Sequence, residues 1–214
     1  TVDSSKDMII EKVVDRFMDE NTYIIGDEKT KKCAIIDPGG STIDIFNKIK
    51  QHGLTVEYII LTHGHGDHIC RVPEIKSKTN AKVIAHVNEE EVLIDRNKNL
   101  SAQLPGPLVE FEADKYVQEG DIIELGSLKL KIIHTPGHTK GGMCIKVGEH
   151  IFTGDTLFAG SIGRTDFYGG DYKQMMKSLR KLAKYDDNAV IYPGHGPTST
   201  IGVEKRMNPY MQQI

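Results

Sequence analysis

The chain has 214 residues, which is enough to bury a large core and fits one domain. Its 27 Lys and Arg residues stand against 30 Asp and Glu residues, and the formal net charge of -3 gives no general attraction to nucleic acid or to acidic lipid. This balance argues against a protein that binds nucleic acid or membranes through its overall charge.

Strand-forming segments and two helical segments alternate in the first half of the chain. Residues 1–7 ("TVDSSKD") have no pattern and are expected to be a tag or a disordered segment, whereas residues 8–214 are expected to form a single domain. Segment 41–53 begins with a Ser cap, repeats apolar residues at Ile43, Phe46 and Ile49, and is predicted to be a helix. The predicted strands are 8–14, 21–26, 33–37, 57–61 and 81–86, and a short acidic helix is predicted near 88–94.

The second half of the chain is richer in strands. Residues 95–114 are the least regular and are predicted to be a loop, which in a compact domain is often functional or mobile. Four strand segments follow residue 121: "DIIELG", "LKLKIIHT", "MCIKV" and "HIFTGD". A helix at 170–184 and a strand at 189–193 complete the pattern. Two β-rich blocks with helices between them predict two sheets covered by helices.

No apolar run approaches the roughly 20 residues that a membrane span needs, and the N-terminus has no signal-peptide pattern. The three cysteines are odd in number, widely spaced and embedded in apolar or mixed segments: Cys33, Cys70 and Cys144. This usage is typical of reduced thiols rather than of a disulfide framework. We therefore expect a cytoplasmic protein with no membrane partner.

The stretch "THGHGDHI" (62–69) concentrates side chains that bind metals. It places His63, His65, Asp67 and His68 directly after a predicted buried strand. Imidazole nitrogen and carboxylate oxygen are donors that zinc, iron and manganese accept. A cluster at a strand end predicts a metal site that other segments must complete.

Three later segments end a predicted strand in a turn of small residues and then present a His or an Asp. They are "IIHTPGHT" (132–139), "FTGDT" (152–156) and "YPGHG" (192–196), which contribute His138, Asp155 and His195. His134 lies within a strand pattern and is interpreted as a structural residue with a backbone partner. Each residue alone could be an ordinary turn residue. Together with the first motif, they are enough for two metal ions.

The hypothesis divides these seven residues between two metals. His63, His65 and His138 bind one ion, Asp67, His68 and His195 bind the other, and Asp155 bridges them.

With these residues in this order, the sequence resembles the metallo-β-lactamase superfamily and, within it, the glyoxalase II-like hydrolases. The resemblance is carried by "THGHGDH", "TPGHT", "FTGDTLF", "GRTDF" and "GHGPTS" and spans roughly residues 21–200. It implies an αββα sandwich, with two mixed β-sheets flanked by helices and the metals at one edge, and the same ligand assignment. Asp155 separates the chain from the true β-lactamases of the group, many of which have a Cys ligand and lack the bridging Asp.

One departure from the full-length glyoxalase II pattern concerns substrate binding. Those enzymes continue into a helical domain that supplies much of the glutathione binding, whereas this chain ends at Ile214 and resembles the short bacterial type. Arg164, in "GSIGRTDF", falls near a position where glyoxalase II enzymes carry a basic residue that contacts glutathione. The alternative is an ion pair between Arg164 and Asp166 that holds the loop.

The resemblance implies a dinuclear hydrolase of thioesters such as S-lactoylglutathione, which acts through a metal-bridging hydroxide that Asp67 and Asp155 orient. The cofactors are expected to be two divalent ions, with zinc favoured and iron or manganese as alternatives. Asp37 is interpreted either as a partner that orients a metal-bound His or as a turn cap.

Two alternative enzymes share the motif. A persulfide dioxygenase of the same superfamily would bind a single iron through His63, His138 and Asp155. A nuclease would favour a basic surface, which the net charge of -3 does not support. The expected partner is therefore a small-molecule thioester, with no nucleic acid.

Overall fold

The computed structural model describes residues 7–214 of the chain. The expected tag or disordered segment at 1–7 lies outside the described residues except for Asp7. The backbone carbonyl of Asp7 accepts a hydrogen bond from the Glu28 nitrogen at 3.0 Å, and its carboxylate lies 3.4 Å from the Lys29 ammonium.

The first sheet contains six strands that lie side by side in chain order. They are β1 (Met8–Val14), β2 (Asn21–Asp27), β3 (Lys32–Ile36), β4 (Thr55–Ile60), β5 (Lys82–His86) and β6 (Lys115–Val117). The first two pairings are antiparallel and the remaining three are parallel, so the sheet is mixed. Because β3, β4 and β5 run in the same direction, their carboxyl ends meet at one edge.

The second half of the chain forms the second sheet and a small hairpin. Its strands are β7 (Ile122–Leu125), β8 (Leu128–His134), β9 (Met143–Val147), β10 (His150–Gly154), β11 (Leu157–Phe158), β12 (Ser161–Ile162), β13 (Val190–Pro193) and β14 (Ser199–Thr200). Strands β11 and β12 pair as the hairpin, and the other six form a sheet in the order β14-β13-β10-β9-β8-β7. The β10–β13 pairing is parallel and the other pairings are antiparallel, so this sheet is also mixed.

Six α-helices and two 3-10 turns connect the strands in the described part of the chain. The helices are α1 (Thr42–Gln51), α2 (Gly66–Ile69), α3 (Val72–Thr79), α4 (Glu90–Leu93), α5 (Tyr172–Ala183) and α6 (Ile201–Met207), and the 3-10 turns are Val87–Glu89 and Met211–Gln213. Side chains cap the two longest helices, and the Ser cap of α1 was predicted. Ser41 accepts from the Asp44 nitrogen at the start of α1, and Asp171 accepts from the Gln174 nitrogen at the start of α5.

Three layers of buried apolar side chains hold the molecule together. The outer face of the first sheet packs on α1 and α3, through residues that include Ile35, Ile59, Ile45, Ile49 and Ile75. The facing surfaces of the two sheets pack on each other, through residues that include Ile25, Ile36, Leu130, Ile145 and Phe152. The outer face of the second sheet packs on α5 and α6, through residues that include Ile151, Ile191, Met175, Leu179 and Ile201. The predicted αββα sandwich is therefore confirmed, and because its sheets share one core we propose that residues 8–214 form a single domain.

The predicted apolar face of α1 was wrong at one residue. Ile43 is 73% exposed, whereas Thr42, Ile45 and Ile49 are buried and Phe46 is half-buried. The buried face of α1 contains residues 42, 45 and 49. Successive residues of an α-helix are rotated by about 100°, so residue 43 points away from this face even though it is apolar.

Residues 95–114 contain neither a helix nor a strand, as predicted. Three residues of this loop, Asn99, Ser101 and Val109, are buried against the fold. The Asn99 side-chain amide donates to the Val109 carbonyl at 2.8 Å, and the Asn99 carbonyl accepts from the Gly66 nitrogen at 2.7 Å. The loop is therefore attached to the segment that carries the histidine motif.

Within residues 7–214, no helix combines the length and the apolar character that crossing a membrane requires.

Candidate metal centre

The side chains proposed as metal ligands come together at one edge of the sandwich. The "THGHGDHI" segment follows β4 and runs into α2, and the loop between β8 and β9 carries His138. Asp155 directly follows β10, and His195 follows β13. Each strand ends at this edge, so residues that are far apart in the sequence become neighbours.

The structure places all seven predicted residues in two compact groups. In each group, one potential ligand atom from every member lies within 4.8 Å of the corresponding atoms of the others. The first group is His63, His65 and His138, and the second group is Asp67, His68, Asp155 and His195. Apart from Asp155, which the hypothesis shares between the two ions, each group contains the residues of one predicted ligand set, and their role as ligands stays a prediction. Asp37 also lies close to His63 and His68.

Asp155, a member of the second group, also lies close to the first group. Its Oδ2 is 3.7 Å from Nε2 of His63 and 3.5 Å from Nε2 of His138. Its Oδ1 is 3.2 Å from Nε2 of His68, and its Oδ2 is 3.5 Å from Nε2 of His195. One carboxylate thus faces imidazoles of both groups, which is the arrangement that a bridging ligand requires.

Backbone carbonyls fix the orientation of two of these histidines. Nδ1 of His138 lies 2.6 Å from the Arg164 carbonyl, and Nδ1 of His195 lies 3.2 Å from the Asp19 carbonyl. A carbonyl can only accept a hydrogen bond, so each Nδ1 carries the proton and donates it. In the neutral form of either ring, Nε2 then has a lone pair that points into the centre, as metal ligation requires.

Asp37 fixes two more histidines. Nδ1 of His68 donates to Oδ2 of Asp37 at 2.9 Å, and the Thr62 nitrogen donates to Oδ1 at 2.7 Å. The Thr62 hydroxyl donates to Oδ2 of Asp37 at 2.5 Å, so the oxygen of that hydroxyl can accept from Nδ1 of His63 at 3.1 Å. Asp37 thus orients the ring of His68 directly and the ring of His63 through Thr62.

The donor atoms in the centre fit metal ions. Nε2 of His63, His65 and His138 is buried and has no hydrogen-bond partner among the described residues. Such atoms cost free energy unless something binds them. Nε2 of His68 lies 3.3 Å from Nε2 of His195, and two lone pairs at that distance repel unless a proton or a cation lies between them. A set of imidazoles and carboxylates suits zinc, iron and manganese.

The electrostatics of the two groups differ. Burial lowers the pKa of His63 well below its usual range, and it lowers the pKa of His65 to about 3, with a smaller contribution from His138. These rings are therefore neutral near pH 7. Burial alone would also lower the pKa of His195, but hydrogen bonds to Asp155 and Asp67 outweigh it and raise the pKa to about 9. The carboxylates thus favour positive charge in the second group.

Two glycines in the histidine motif are held by distant parts of the chain. The Gly64 nitrogen donates to Oε2 of the buried Glu89 at 2.7 Å, and the Gly66 nitrogen donates to the Asn99 carbonyl at 2.7 Å. Neither Glu89 nor Asn99 was predicted to be a site residue. Both act on backbone groups, which leave no spacing pattern in the sequence.

His134 has the partners of a structural residue. Its Nε2 donates to the Lys140 carbonyl at 2.9 Å, and its ring stacks on His86 with centroids 3.9 Å apart. Its interpretation as a residue satisfied by a backbone partner agrees with these contacts.

Arg164 lies at the rim of the centre, where its guanidinium is exposed. It pairs with both carboxylate oxygens of Asp166, at 2.6 and 2.7 Å, and its guanidinium carbon lies 3.9 Å from the centroid of Phe167. Phe167 in turn contacts His65 edge-on, with ring centroids 6.0 Å apart. The structure therefore contains the ion pair between Arg164 and Asp166 that was the alternative interpretation. The contact of Arg164 with glutathione stays a prediction.

The model of the metallo-beta-lactamase superfamily matches residues 15–195. The chain belongs to this superfamily. Members of the superfamily are mostly metal-dependent hydrolases. A curated relative, hydroxyacylglutathione hydrolase GloC of Haemophilus influenzae, is 36% identical over 197 residues, which cover 90% of this chain and 92% of the relative.

Three solved structures of the superfamily resemble the chain over most of its length. BLEG-1, named a B3 metallo-beta-lactamase, has a TM-score of 0.88 and 31% identity, covering 95% of this chain and 99% of its own. ETHE1 from Myxococcus xanthus has a TM-score of 0.81 and 31% identity, covering 94% and 84%. TTHA1623, solved in a di-iron-bound form, has a TM-score of 0.82 and 30% identity, covering 94% and 99%. The last structure is an example of this fold with two metals.

Proposed function

We propose that the protein is a dinuclear metal-dependent hydrolase of thioesters such as S-lactoylglutathione. The observation that carries the proposal is the position of the Asp155 carboxylate, whose oxygens lie 3.2–3.7 Å from histidines of both groups. The similarity to a hydroxyacylglutathione hydrolase at 36% identity supports the choice of substrate class.

The proposed ligand sets follow the two groups. One ion is held by His63, His65 and His138, the other by Asp67, His68 and His195, and Asp155 is shared. When bound, two divalent ions supply a hydroxide nucleophile near neutral pH and polarise the substrate carbonyl. We favour zinc, with iron and manganese as alternatives.

The residues of the chain position the reacting groups. The carboxylates of Asp67 and Asp155 are the hydrogen-bond acceptors that orient the nucleophile, and Asp37 holds the imidazole of His68 from behind. A thioester suits this site because a leaving thiol has a pKa of about 8.5, so its departure requires little protonation and no separate general acid.

Arg164 is proposed to bind the thiol portion of the substrate. Its exposed guanidinium lies next to Phe167, which contacts His65 of the first group. A carboxylate of glutathione would replace Asp166 as the bidentate partner of Arg164. The proposed partner is thus a small molecule and not nucleic acid or a membrane. We propose a cytoplasmic location because the three cysteines are free.

The second candidate is a persulfide dioxygenase with a single iron on His63, His138 and Asp155. The similarity to ETHE1 supports it, and Oδ2 of Asp155 lies close to Nε2 of both histidines, at 3.7 and 3.5 Å. This candidate leaves the carboxylate and imidazoles of Asp67, His68 and His195 without a metal, so the dinuclear hydrolase accounts for more of the site. A nuclease is disfavoured by the net charge of -3.

The variant His68→Ala separates the two candidates. In the hydrolase, losing His68 weakens the second metal site, so we expect about one metal ion fewer per chain. Turnover is expected to fall by at least roughly 10–100-fold, which is the typical loss when a residue that only hydrogen-bonds to a metal ligand is mutated. S-lactoylglutathione hydrolysis is measured with and without oxygen, with a β-lactam as the comparison substrate, and metal content is measured on the same preparations.

The matched control is His52→Ala, because His52 lies at the end of α1 and pairs with Glu11 at 2.9 Å. Circular dichroism confirms that both variants are folded. A folded His68→Ala protein that keeps its metal content and its hydrolysis rate would show that His68 is not a ligand. A wild type that holds one iron and consumes oxygen with a persulfide would identify the dioxygenase.

A further inference from the structure

Glu89 is a fully buried carboxylate at the end of the 3-10 turn that follows β5. Its Oε2 accepts a hydrogen bond from the Gly64 nitrogen at 2.7 Å, and its Oε1 accepts one from the Gly141 nitrogen at 3.1 Å. Gly64 lies between His63 and His65, and Gly141 lies three residues after His138. A single side chain therefore connects the two loops that carry the first group.

Close packing fixes the distance between these loops and the segment around Glu89. A methyl group on Gly141 would lie 2.4 Å from the Glu89 nitrogen. A methyl group on Gly64 would lie 2.9 Å from Leu93 and 3.0 Å from Val92. Both glycines therefore lie close to this segment with no room for a side chain, and each loop is joined to it by a hydrogen bond to Glu89.

A buried carboxylate is a costly way to stabilise a fold. Burial is the largest influence on Glu89 and raises its pKa to about 7, although the hydrogen bonds from the backbone at Gly64 and Gly141 act in the opposite direction. A neutral side chain at this position would avoid the desolvation cost but could not accept from both N–H groups. The cost of burying the charge, set against the two hydrogen bonds that it permits, favours a role for Glu89 in positioning the loops over a role in stability alone.

We propose that Glu89 is a positioning residue that holds His63 and His65 on one loop and His138 on the other at the separation needed to bind one metal ion. The proposal rests on the proposed function, because it assumes that these three histidines form one of two metal sites. Glu89 is distinct from Asp37, which acts on the imidazole rings, because Glu89 acts on the backbone between the ligands.

The test compares Glu89→Gln with Glu90→Gln, which changes the exposed neighbouring residue in the same way. The glutamine at 89 keeps the size of the side chain, but its amide group would face one of the two N–H donors. We expect the zinc affinity of the first site to fall at least tenfold in Glu89→Gln, as measured by competition with a chelator, while the second site and the Glu90→Gln protein keep the wild-type affinity.

A second readout separates positioning from stability. The melting temperature is measured for each protein without metal and with saturating zinc, and the rise on zinc binding is expected to be smaller in Glu89→Gln than in the wild type. If Glu89→Gln had the same zinc affinity and the same zinc-induced rise in melting temperature as the wild type, Glu89 would only stabilise the fold, and the proposal would be overturned. If Glu89→Gln does not fold, Glu89→Asp takes its place, because it keeps both acceptor oxygens on a shorter side chain, and the same two outcomes decide.

Failure of the proposed function would look different. It would appear as a wild type that binds one ion or none, whereas failure of the Glu89 proposal would appear as a variant whose zinc affinity and zinc-induced rise in melting temperature equal those of the wild type.

Discussion

Asp37 shows how a residue behind the centre can be anticipated from the sequence but assigned only from the structure. Its position after a strand and before "PGG" suggests either a partner of a metal-bound His or a turn cap. The structure shows it accepting from Nδ1 of His68 and from Thr62, with a backbone φ of 53° that Asp and Asn tolerate better than most residues. The backbone conformation and the side-chain contacts thus both select Asp at this position.

We predict that Asp37→Asn lowers thioesterase turnover and the affinity of the second metal site by about 10–100-fold. An amide at this position can donate toward His68, which opposes the tautomer that leaves the Nε2 lone pair in the centre. Turnover and zinc affinity are measured beside Asp44→Asn, an exposed aspartate of α1. Wild-type values for both quantities would show that Asp37 does not orient His68.

The proposed ligands could be identified from the sequence because they either cluster directly after a predicted strand or follow a strand and a small-residue turn, and both are local patterns. Glu89 and Asn99 could not be identified in this way. Glu89 belongs to an acidic run that resembles an ordinary exposed helix, and Asn99 belongs to an irregular loop. Their partners are backbone N–H groups of Gly64 and Gly66, and only the three-dimensional structure brings those groups within hydrogen-bond distance.

At the level of the elements, the longer strands and the two longest helices were predictable, whereas the shortest strands and most of the shorter helices were not. The predicted strand 8–14 coincides with β1, and the predicted strands 57–61 and 189–193 correspond to β4 and β13 with ends shifted by at most two residues. The strands β6 and β14, the hairpin of β11 and β12, and the helices α2, α3 and α6 were missed. Segments of two or three residues carry no usable periodicity, and they form strands because a neighbouring strand is available to pair with them.

Asp27 connects turns of the two sheets. It ends β2, and it accepts hydrogen bonds from the Ser127 nitrogen at 2.8 Å, the Ser127 hydroxyl at 2.9 Å and the Thr30 hydroxyl at 2.7 Å. Ser127 lies in the turn between β7 and β8. Burial alone would raise the pKa of Asp27, but these hydrogen bonds outweigh it and lower the pKa from 3.8 to about 2.

We predict that Asp27→Asn lowers the free energy of unfolding by about 2 kcal/mol at neutral pH, since each pKa unit corresponds to about 1.4 kcal/mol. Because the folded-state pKa is below the ordinary value, this stabilisation is fully present above about pH 4 and is lost as the pH falls toward about 2. Urea unfolding of the wild type, Asp27→Asn and the exposed control Glu28→Gln is compared across this range. If the difference in the free energy of unfolding between the wild type and Asp27→Asn did not become smaller below about pH 4, the role given to the ionised carboxylate would be contradicted.

At the scale of the whole molecule, the sandwich is what brings the proposed ligands together. His63 and Asp67 belong to the half of the chain that forms the first sheet, whereas His138, Asp155 and His195 belong to the half that forms the second sheet. The two sheets share a buried interface, so the edge where their strands end is held in one geometry. The order of strands and helices predicted two covered sheets, and the resemblance implied that the metals lie at one edge.

The central claim is that one protein carboxylate bridges two metal ions, and the most direct test is the number of ions bound per folded chain in the wild type and in Asp155→Cys. Cysteine offers one sulfur in place of the two oxygens that lie near both groups. By elemental analysis after zinc loading and removal of free metal, we predict close to two ions per wild-type chain and no more than one in Asp155→Cys, with most thioesterase activity lost. One ion in the wild type, or two tightly bound ions and near-normal turnover in Asp155→Cys, would contradict the claim.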